Sequence, residues 1–290
     1  MIDLHTHTTA SDGCVDPEEL IRRAVMAGLR TIGVTDHDTM GGVARAAAAA
    51  AAVGITCVPG IEITAVDSDR DVHVLGYFLD PDEPRLRDFL ARQRQDRVRR
   101  IVEMSARLDA LGYPVDVAEA LAEGEADRSR SLGRPLLARA LVRAGHATDT
   151  NDAFARLLGT GRPAYVPRLG ASPVAVVQMI HEAGGVASLA HPGQTRCDAL
   201  LPALVEAGLD ALEVHHPDHP PDVEAHYASL ARDLGLAVTG GSDYHGRAEH
   251  GSPTLGTATM SEAEFDALVA RRDHARATRR ATASGLSTSS

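Results

Sequence analysis

Two imidazoles stand near the start of the chain, in Met1-Ile2-Asp3-Leu4-His5-Thr6-His7. Residues i and i+2 of a strand point to one face, so His5 and His7 can bind one cation together. Ile2 and Leu4 then turn the other way, into apolar packing. A lone His-x-His is common on surfaces and in cores and carries little by itself. The rest of the chain changes that. Thr35-Asp36-His37-Asp38, Gly60-Ile61-Glu62, His73, Ala190-His191-Pro192 and Ser242-Asp243-Tyr244-His245 each bring a metal-binding residue type to an apolar, strand-like run. With Asp12 the candidate ligands are His5, His7, Asp12, His37, Glu62, His73, His191, Asp243 and His245. Mixed imidazole nitrogen and carboxylate oxygen suits Mn, Fe or Zn. A catalytic ion takes about three or four protein ligands plus water, so this set suffices for two or three divalent ions. Glu62 can bridge, because a carboxylate has two oxygens. Such a site points to an enzyme.

The elements that must position these residues alternate between strand and helix. Strand patterns cover residues 2–7, 31–35, 55–64, 72–79, 186–190, 209–214 and 236–240. A helix opens at Asp16-Pro17, with Asp as N-cap and Pro in the first turn, and stops at Gly28. Others cover 42–53, 199–207 and 222–234, and one runs from Ser172-Pro173 to near Gly184. The alternation predicts a βα barrel or an open parallel sheet. Bringing so many strand ends to one point requires closure into a barrel, with the site at its C-terminal face. Between 81 and 167 the strand pattern vanishes. Leu86, Phe89, Leu90, Val98, Ile101, Val102, Leu108 and Leu111 recur at helical spacing, and further helices fit 117–122, 134–143 and 152–158. The expected organisation is a barrel from 1–80 and 168–276, a helical insertion domain over 81–167, and a disordered Ala/Ser/Thr-rich tail over 277–290. Arg92, Arg94, Arg97, Arg99 and Arg100 on the first insertion helix read as a solvated face.

Composition narrows the chemistry. Among 290 residues the formal net charge is −11, which argues against a surface that coats nucleic acid. There is no lysine, so Schiff-base chemistry and a carbamylated-lysine metal bridge are excluded. The three cysteines, Cys14, Cys57 and Cys197, follow no metal-binding spacing and read as free thiols in a reducing compartment. No signal-peptide pattern opens the chain, and residues 44–53 form an alanine tract too short to cross a bilayer. These features lead us to expect a cytoplasmic protein without membrane contact.

The ordered motifs His5-Thr6-His7-Thr8-Thr9-Ala10-Ser11-Asp12-Gly13, Thr35-Asp36-His37-Asp38, Gly60-Ile61-Glu62, His73, Ala190-His191-Pro192 and Ser242-Asp243-Tyr244-His245-Gly246 resemble the PHP (polymerase and histidinol phosphatase) superfamily of metal-dependent phosphoesterases. The resemblance covers residues 1 to about 80 and about 165 to 250. It implies an α/β fold, a distorted (β/α)7 barrel with a trinuclear centre. One ion would take His5, His7, Glu62 and Asp243, a second Glu62, His73 and His191, and a third Asp12, His37 and His245. Many members carry His where Asp12 stands, which makes the third site here richer in oxygen. Ser131-Leu132-Gly133-Arg134-Pro135-Leu136, Pro163-Ala164-Tyr165-Val166-Pro167 and Leu212-Glu213-Val214-His215-His216-Pro217-Asp218-His219 look like one branch of the superfamily. That branch includes 3′,5′-nucleoside bisphosphate phosphatases and the 5′-to-3′ exonuclease RNase AM. Its usual Arg-Pro-His triplet is Arg134-Pro135-Leu136 here.

In this reading two close cations, Mn first among them, promote an in-line displacement at phosphorus, with Glu62 between them. Arg134 offers a planar fork for phosphate oxygens, with Arg168 beside it. His216 would hold a phosphate oxygen or protonate the leaving alkoxide. Asp36 and Asp38 flank His37 and are expected to orient ligands. The expected substrates are small phosphorylated nucleotides and at most short single-stranded RNA, never duplex. Three other readings compete with this one. Amidohydrolase chemistry meets the missing lysine, and histidinol-phosphate hydrolysis is the alternative within phosphatases. A non-catalytic metal-binding module meets a full ligand set.

Overall fold

Helix signals in the sequence translate directly into structure. Asp16 caps α1 (Pro17–Met26) by accepting the Glu19 N–H at 2.7 Å, and Pro17 occupies the first turn. Ser172 does the same for α7 (Pro173–Glu182), accepting the Ala175 N–H at 3.3 Å. The alanine-rich α2 (Val43–Val53) ends on Gly54, whose φ of 76° lies in the left-handed region that a glycine adopts without strain. The computed structural model describes residues 1–68, 70–246 and 253–286.

Seven strands form one sheet in sequence order: β1 (Ile2–Asp3), β2 (Thr31–Val34), β3 (Thr56–Asp67), β4 (Arg70–Tyr77), β5 (Val186–Leu189), β6 (Ala211–His215) and β7 (Ala237–Gly240). The sheet curls into a nearly closed barrel. The Leu4 N–H donates to the Gly240 carbonyl at 3.1 Å and the His7 N–H to the Tyr244 carbonyl at 2.8 Å. At this seam Gly241 passes so close to β1 that a Cβ there would lie 2.3 Å from the His5 nitrogen. The fold is thus the expected α/β barrel of seven strands, with one difference in direction. β4 is antiparallel to both β3 and β5, because a tight hairpin rather than a helix joins it to β3. This explains why His73 lies near the start of its strand while the other candidates, apart from Glu62 in the middle of β3, follow strand ends. An antiparallel strand presents its N-terminal half to the barrel mouth.

Residues 84–158 contain only helices: α3 (Pro84–Ala110), α4 (Ala118–Ala126), α5 (Arg134–Arg143) and α6 (Thr150–Ala153), which runs on as a π-helical turn, Phe154–Leu158. They enclose their own apolar cluster, including Ile101, Met104, Leu108, Leu137, Leu141 and Leu158. The N-terminal half of α3, with Leu86, Phe89 and Leu90, packs instead into the barrel's main cluster against Val176, Val177 and Ile180. One helix therefore ties the helical segment to the barrel.

Four elements complete the barrel's exterior: α8 (Pro192–Thr195), α9 (Leu201–Glu206), α10 (Pro221–Asp233) and α11 (Glu262–Leu286). α11 corrects the expectation of a disordered tail from 277, since the segment is helical as far as 286. Alanine and arginine are good helix formers, and extending an existing helix avoids the cost of nucleation. Residues 287–290 lie outside the described ones. Among the described residues no helix is long and apolar enough to cross a membrane.

Candidate metal centre

β1 ends at Asp3, yet His5 and His7 keep the strand's two-residue period and face the barrel mouth, their ring centroids 5.1 Å apart. Leu4, just before His5, is fully buried in the opposite direction, with Ile2, Val58 and Leu75. Asp12 sits on the following loop, folded back by a Gly13 N–H to Thr8 carbonyl bond of 3.0 Å. Gly13 is needed there: a Cβ would lie 2.6 Å from the His7 carbonyl oxygen.

Around Glu62 the candidates converge. Its Oε2 lies 2.9 Å from His37 Nδ1, 3.3 Å from His7 Nε2 and 3.4 Å from His5 Nε2. Its Oε1 lies 2.6 Å from His73 Nδ1 and 3.1 Å from His191 Nε2. Asp243 Oδ1 lies 3.1 Å from His7 Nε2 and 3.3 Å from His5 Nε2. Asp12 Oδ1 lies 3.2 Å from His245 Nε2 and 3.9 Å from His37 Nε2. All nine residues singled out by sequence thus meet at one place. Three groups have ligand atoms within 4.8 Å of one another: His5, His7, Glu62 and Asp243; His7, Asp12, His37 and His245; and His37, Glu62 and His73. The first reproduces a set implied by the resemblance. In the other two, His37 faces Glu62 as well as Asp12, and His7 joins the Asp12 group.

His191 Nε2 and Glu62 Oε1 hydrogen-bond at 3.1 Å, but many of the other converging atoms make no such bond. His5 Nε2, both ring nitrogens of His7, His37 Nδ1, His73 Nδ1 and Glu62 Oε2 are buried with no hydrogen-bond partner. Orphaned buried polar atoms cost on the order of 1–3 kcal/mol each unless something else satisfies them. A set of nitrogen lone pairs and carboxylate oxygens aimed together fits divalent cations. The electrostatics agree. Burial would raise the Glu62 pKa, but the His37, His73 and His5 rings outweigh it and hold the carboxyl well below its usual range. Burial works against charge on His7 and, with the neighbouring His245, lowers its pKa to about 3. It is therefore a neutral imidazole with one nitrogen lone pair to give. Backbone strain concentrates here too: His191 (φ 27°), Asp38 (φ 52°) and Asp243 (φ 49°) are non-glycine residues in the left-handed region.

The flanking carboxylates act differently from expectation. Asp36 accepts the Thr8 N–H (2.8 Å), the Thr8 hydroxyl (2.7 Å) and the Ser11 hydroxyl (2.6 Å), so it holds the loop that carries Asp12. Asp38 accepts the Thr64 N–H at 2.9 Å and faces arginines. Neither hydrogen-bonds a candidate ligand's side chain. The carboxylate that touches a ligand ring is Glu213 of β6, whose Oε1 accepts from His5 Nδ1 at 2.9 Å. Its place in a resembling motif drew attention to the segment but suggested no role.

Beside the cluster lies a basin of arginines. Asp71 shares a face of β4 with His73, two residues on. Its Oδ2 accepts from Arg134 Nη2 at 3.0 Å, and its Oδ1 lies 3.5 Å from Arg168 Nε. Asp38 Oδ2 accepts from Arg97 Nε at 2.6 Å and Arg168 Nη1 at 3.4 Å. Arg134 lies 5.8 Å from the Tyr165 ring centroid and Arg100 lies 5.9 Å from it, while Arg100 Nη2 is buried without a partner. Three guanidinium groups, Arg97, Arg134 and Arg168, therefore share two carboxylates, while Arg100 donates to the Val166 carbonyl at 3.0 Å. Burial, with Arg97 nearby, lowers the Arg168 pKa to about 10, still charged at neutral pH. Arg97 and Arg100 correct the reading of α3 as a solvated face. Gln93, Arg97 and Arg100 stand at i, i+4 and i+7, the same helix face as Leu90, Ile101 and Met104, and that spacing was the available signal. His216 is likewise buried, with Nε2 unpartnered and 3.7 Å from Asp243 Oδ2.

A barrel whose strand ends carry such a cluster defines a class, and comparison with known proteins agrees. The PHP domain model matches residues 3–133. The chain belongs to the PHP family and is a phosphoesterase, a hydrolase of phosphoric ester bonds in a metal-dependent family. It is 35% identical over 252 residues to the 5′-3′ exoribonuclease Rnm of Escherichia coli (strain K12), covering 84% of each chain. It is 36% identical over 255 residues to the 3′,5′-nucleoside bisphosphate phosphatase of Chromobacterium violaceum, covering 86% of this chain and 89% of that one. A solved structure from Bifidobacterium adolescentis, described as a metal-dependent phosphoesterase, superposes with a TM-score of 0.85 at 34% identity. That match covers 93% of this chain and 96% of the other.

Proposed function

We propose that this enzyme hydrolyses small phosphorylated nucleotides, with a 3′,5′-nucleoside bisphosphate preferred over a monophosphate, and acts on RNA only from the end of a short single strand. The observation that carries this reading is the arginine basin beside the candidate metal cluster, where three guanidinium groups, Arg97, Arg134 and Arg168, share two carboxylates and Arg100 lies alongside. A buried excess of positive charge calls for an anion, and a second phosphate adds charge-assisted contacts without altering the scissile bond. The two relatives' substrates belong to the same chemical class. With a net charge of −11 the whole protein repels long polyanions, so affinity must come from a short captured segment.

The nine clustered residues would hold two or three divalent cations, Mn first among the candidates. Ions held there would supply positive charge near the phosphoryl oxygens and lower the pKa of bound water. Glu62, with two oxygens facing opposite groups of imidazoles, would be shared between the ions. Arg134 and Arg168 present their forks to the second phosphate, with Asp71 holding both in register. His216 acts on the leaving group. Its Nδ1 accepts the Asp218 N–H at 3.1 Å, so the neutral ring carries its proton on Nε2, the atom facing the cluster. That N–H can hydrogen-bond a phosphoryl oxygen or the departing alkoxide as charge develops on it.

The test is side-by-side kcat/KM for adenosine 3′,5′-bisphosphate, the matching monophosphates, histidinol phosphate and short oligonucleotides with the Mn-loaded enzyme. Greater efficiency on the bisphosphate supports the proposal. Equal efficiency on bisphosphate and monophosphate removes the second-phosphate site, and preference for histidinol phosphate replaces the substrate class.

A further inference from the structure

Glu213 lies on β6 and is fully buried, opposite Thr239 of β7. Both of its oxygens are engaged by residues of the cluster. Oε1 lies 2.9 Å from His5 Nδ1, and Oε2 accepts the backbone N–H of His191 at 2.8 Å. We propose that Glu213 is the positioning residue of the metal centre, a single carboxylate that fixes ligands on both sides of Glu62. The proposal rests on reading the cluster as a metal centre.

For His5 the argument concerns the proton. A ligating imidazole is neutral and presents one bare nitrogen. Nε2 is the nitrogen that faces Glu62 and Asp243, at 3.4 and 3.3 Å. The proton must then sit on Nδ1, and a buried, acceptor-only carboxylate opposite that atom permits no other arrangement. The same contact sets the ring plane, which stacks at 20° on His191 with centroids 5.8 Å apart.

For His191 the argument concerns the backbone. Its φ of 27° and ψ of 58° are unfavourable for a side chain with a Cβ. The bond from its N–H to Glu213 holds that turn and brings Nε2 to 3.1 Å from Glu62 Oε1. His5 lies on the Oε2 side of Glu62 and His191 on the Oε1 side, so loss of Glu213 disturbs both halves of the centre together.

Glu213→Gln separates this role from simple packing, because the amide has nearly the same shape. If its oxygen accepts from His5, its NH2 confronts the His191 N–H. If its oxygen accepts from His191, its NH2 donates to His5 Nδ1 and drives the proton to Nε2, the ligating atom. We expect zinc affinity, measured by chelator competition on protein checked for folding by circular dichroism, to fall about 10- to 100-fold. Wild-type protein loaded with zinc, a diamagnetic ion, should show His5 protonated on Nδ1 in nitrogen-15 ring spectra. Zinc affinity within about twofold of wild type in Glu213→Gln would overturn the proposal. A His5 proton on Nε2 in the zinc-loaded wild type would overturn it too, and that measurement needs no variant. Wild-type protein that takes up no zinc would bring down the metal-centre reading as well, which distinguishes the two failures.

Discussion

Glu62 has a buried environment that is tolerable only for an anion among cation or proton donors. Burial would neutralise it, yet three imidazoles near its two oxygens keep it ionised. Glu62→Gln should therefore abolish turnover and reduce bound metal, since a neutral amide is a poor bridge between cations. An unchanged ion count by elemental analysis together with normal turnover would refute this. Arg134 occupies a different kind of site, a partly buried fork paired with Asp71 and flanked by the Phe154 and Tyr165 rings. Arg134→Ala should mainly raise KM. A lost charge-assisted contact costs about 1.5–3 kcal/mol, or about 10- to 150-fold in kcat/KM. A monophosphate should suffer less than the bisphosphate, and equal losses on both would move the second phosphate elsewhere.

At the level of elements, α11 is fastened to the barrel by a titratable contact. His215, at the end of β6, bonds Glu224 of α10 through Nδ1 and Glu264 of α11 through Nε2, the latter at 3.0 Å. Burial opposes the charged ring, but the Glu264 and Glu224 carboxylates outweigh it and raise the His215 pKa. A group whose folded pKa is raised contributes stability that is complete below its unfolded value of about 6.5 and disappears as pH rises through the folded value. The stability difference between wild type and His215→Gln should therefore be largest near pH 6 and shrink on the alkaline side. Urea unfolding across that range measures it, and a difference that grows with pH would contradict the assignment.

For the whole molecule, the candidate metal cluster is drawn from both sides of the helical segment: His5 to His73 precede it, and His191, Asp243 and His245 follow. Ions held by such a set cross-link distant parts of the chain and favour the folded state. At a free ion concentration about 100 times Kd the stabilisation is about 2.7 kcal/mol per site, about 5 °C in Tm for a chain of this size. Thermal melts of chelated and Mn-loaded protein should differ by at least that much, and superimposable melts would argue that the cluster binds no ion. Arg134 belongs to the helical segment and Asp71 to the barrel, so the proposed substrate would be gripped between the two. The half-and-half packing of α3 makes that grip rigid.

Much of this was legible in the sequence because it is local. Strand period, helix caps and residue type are properties of a few neighbouring residues, and they identified seven strands, most helix boundaries, α5 to the residue, and all nine members of the cluster. Arg134, Arg168 and His216 were also singled out, and the fold places each beside the cluster or in the basin next to it. What the tertiary structure alone decided depends on pairings across tens of residues. The antiparallel sense of β4 follows from its hairpin with β3 and not from its composition. Arg97 and Arg100 read as solvated because charge patterning ignores what lies opposite a helix face; acceptors brought there by the fold, among them Asp38, Thr64 and Val166, make their burial tolerable. Asp36 and Asp38 sit next to His37 in sequence but turn away from it, whereas Glu213, 208 residues from His5, reaches its ring. A side chain's type is written in the chain, but its partner is fixed by the barrel's closure.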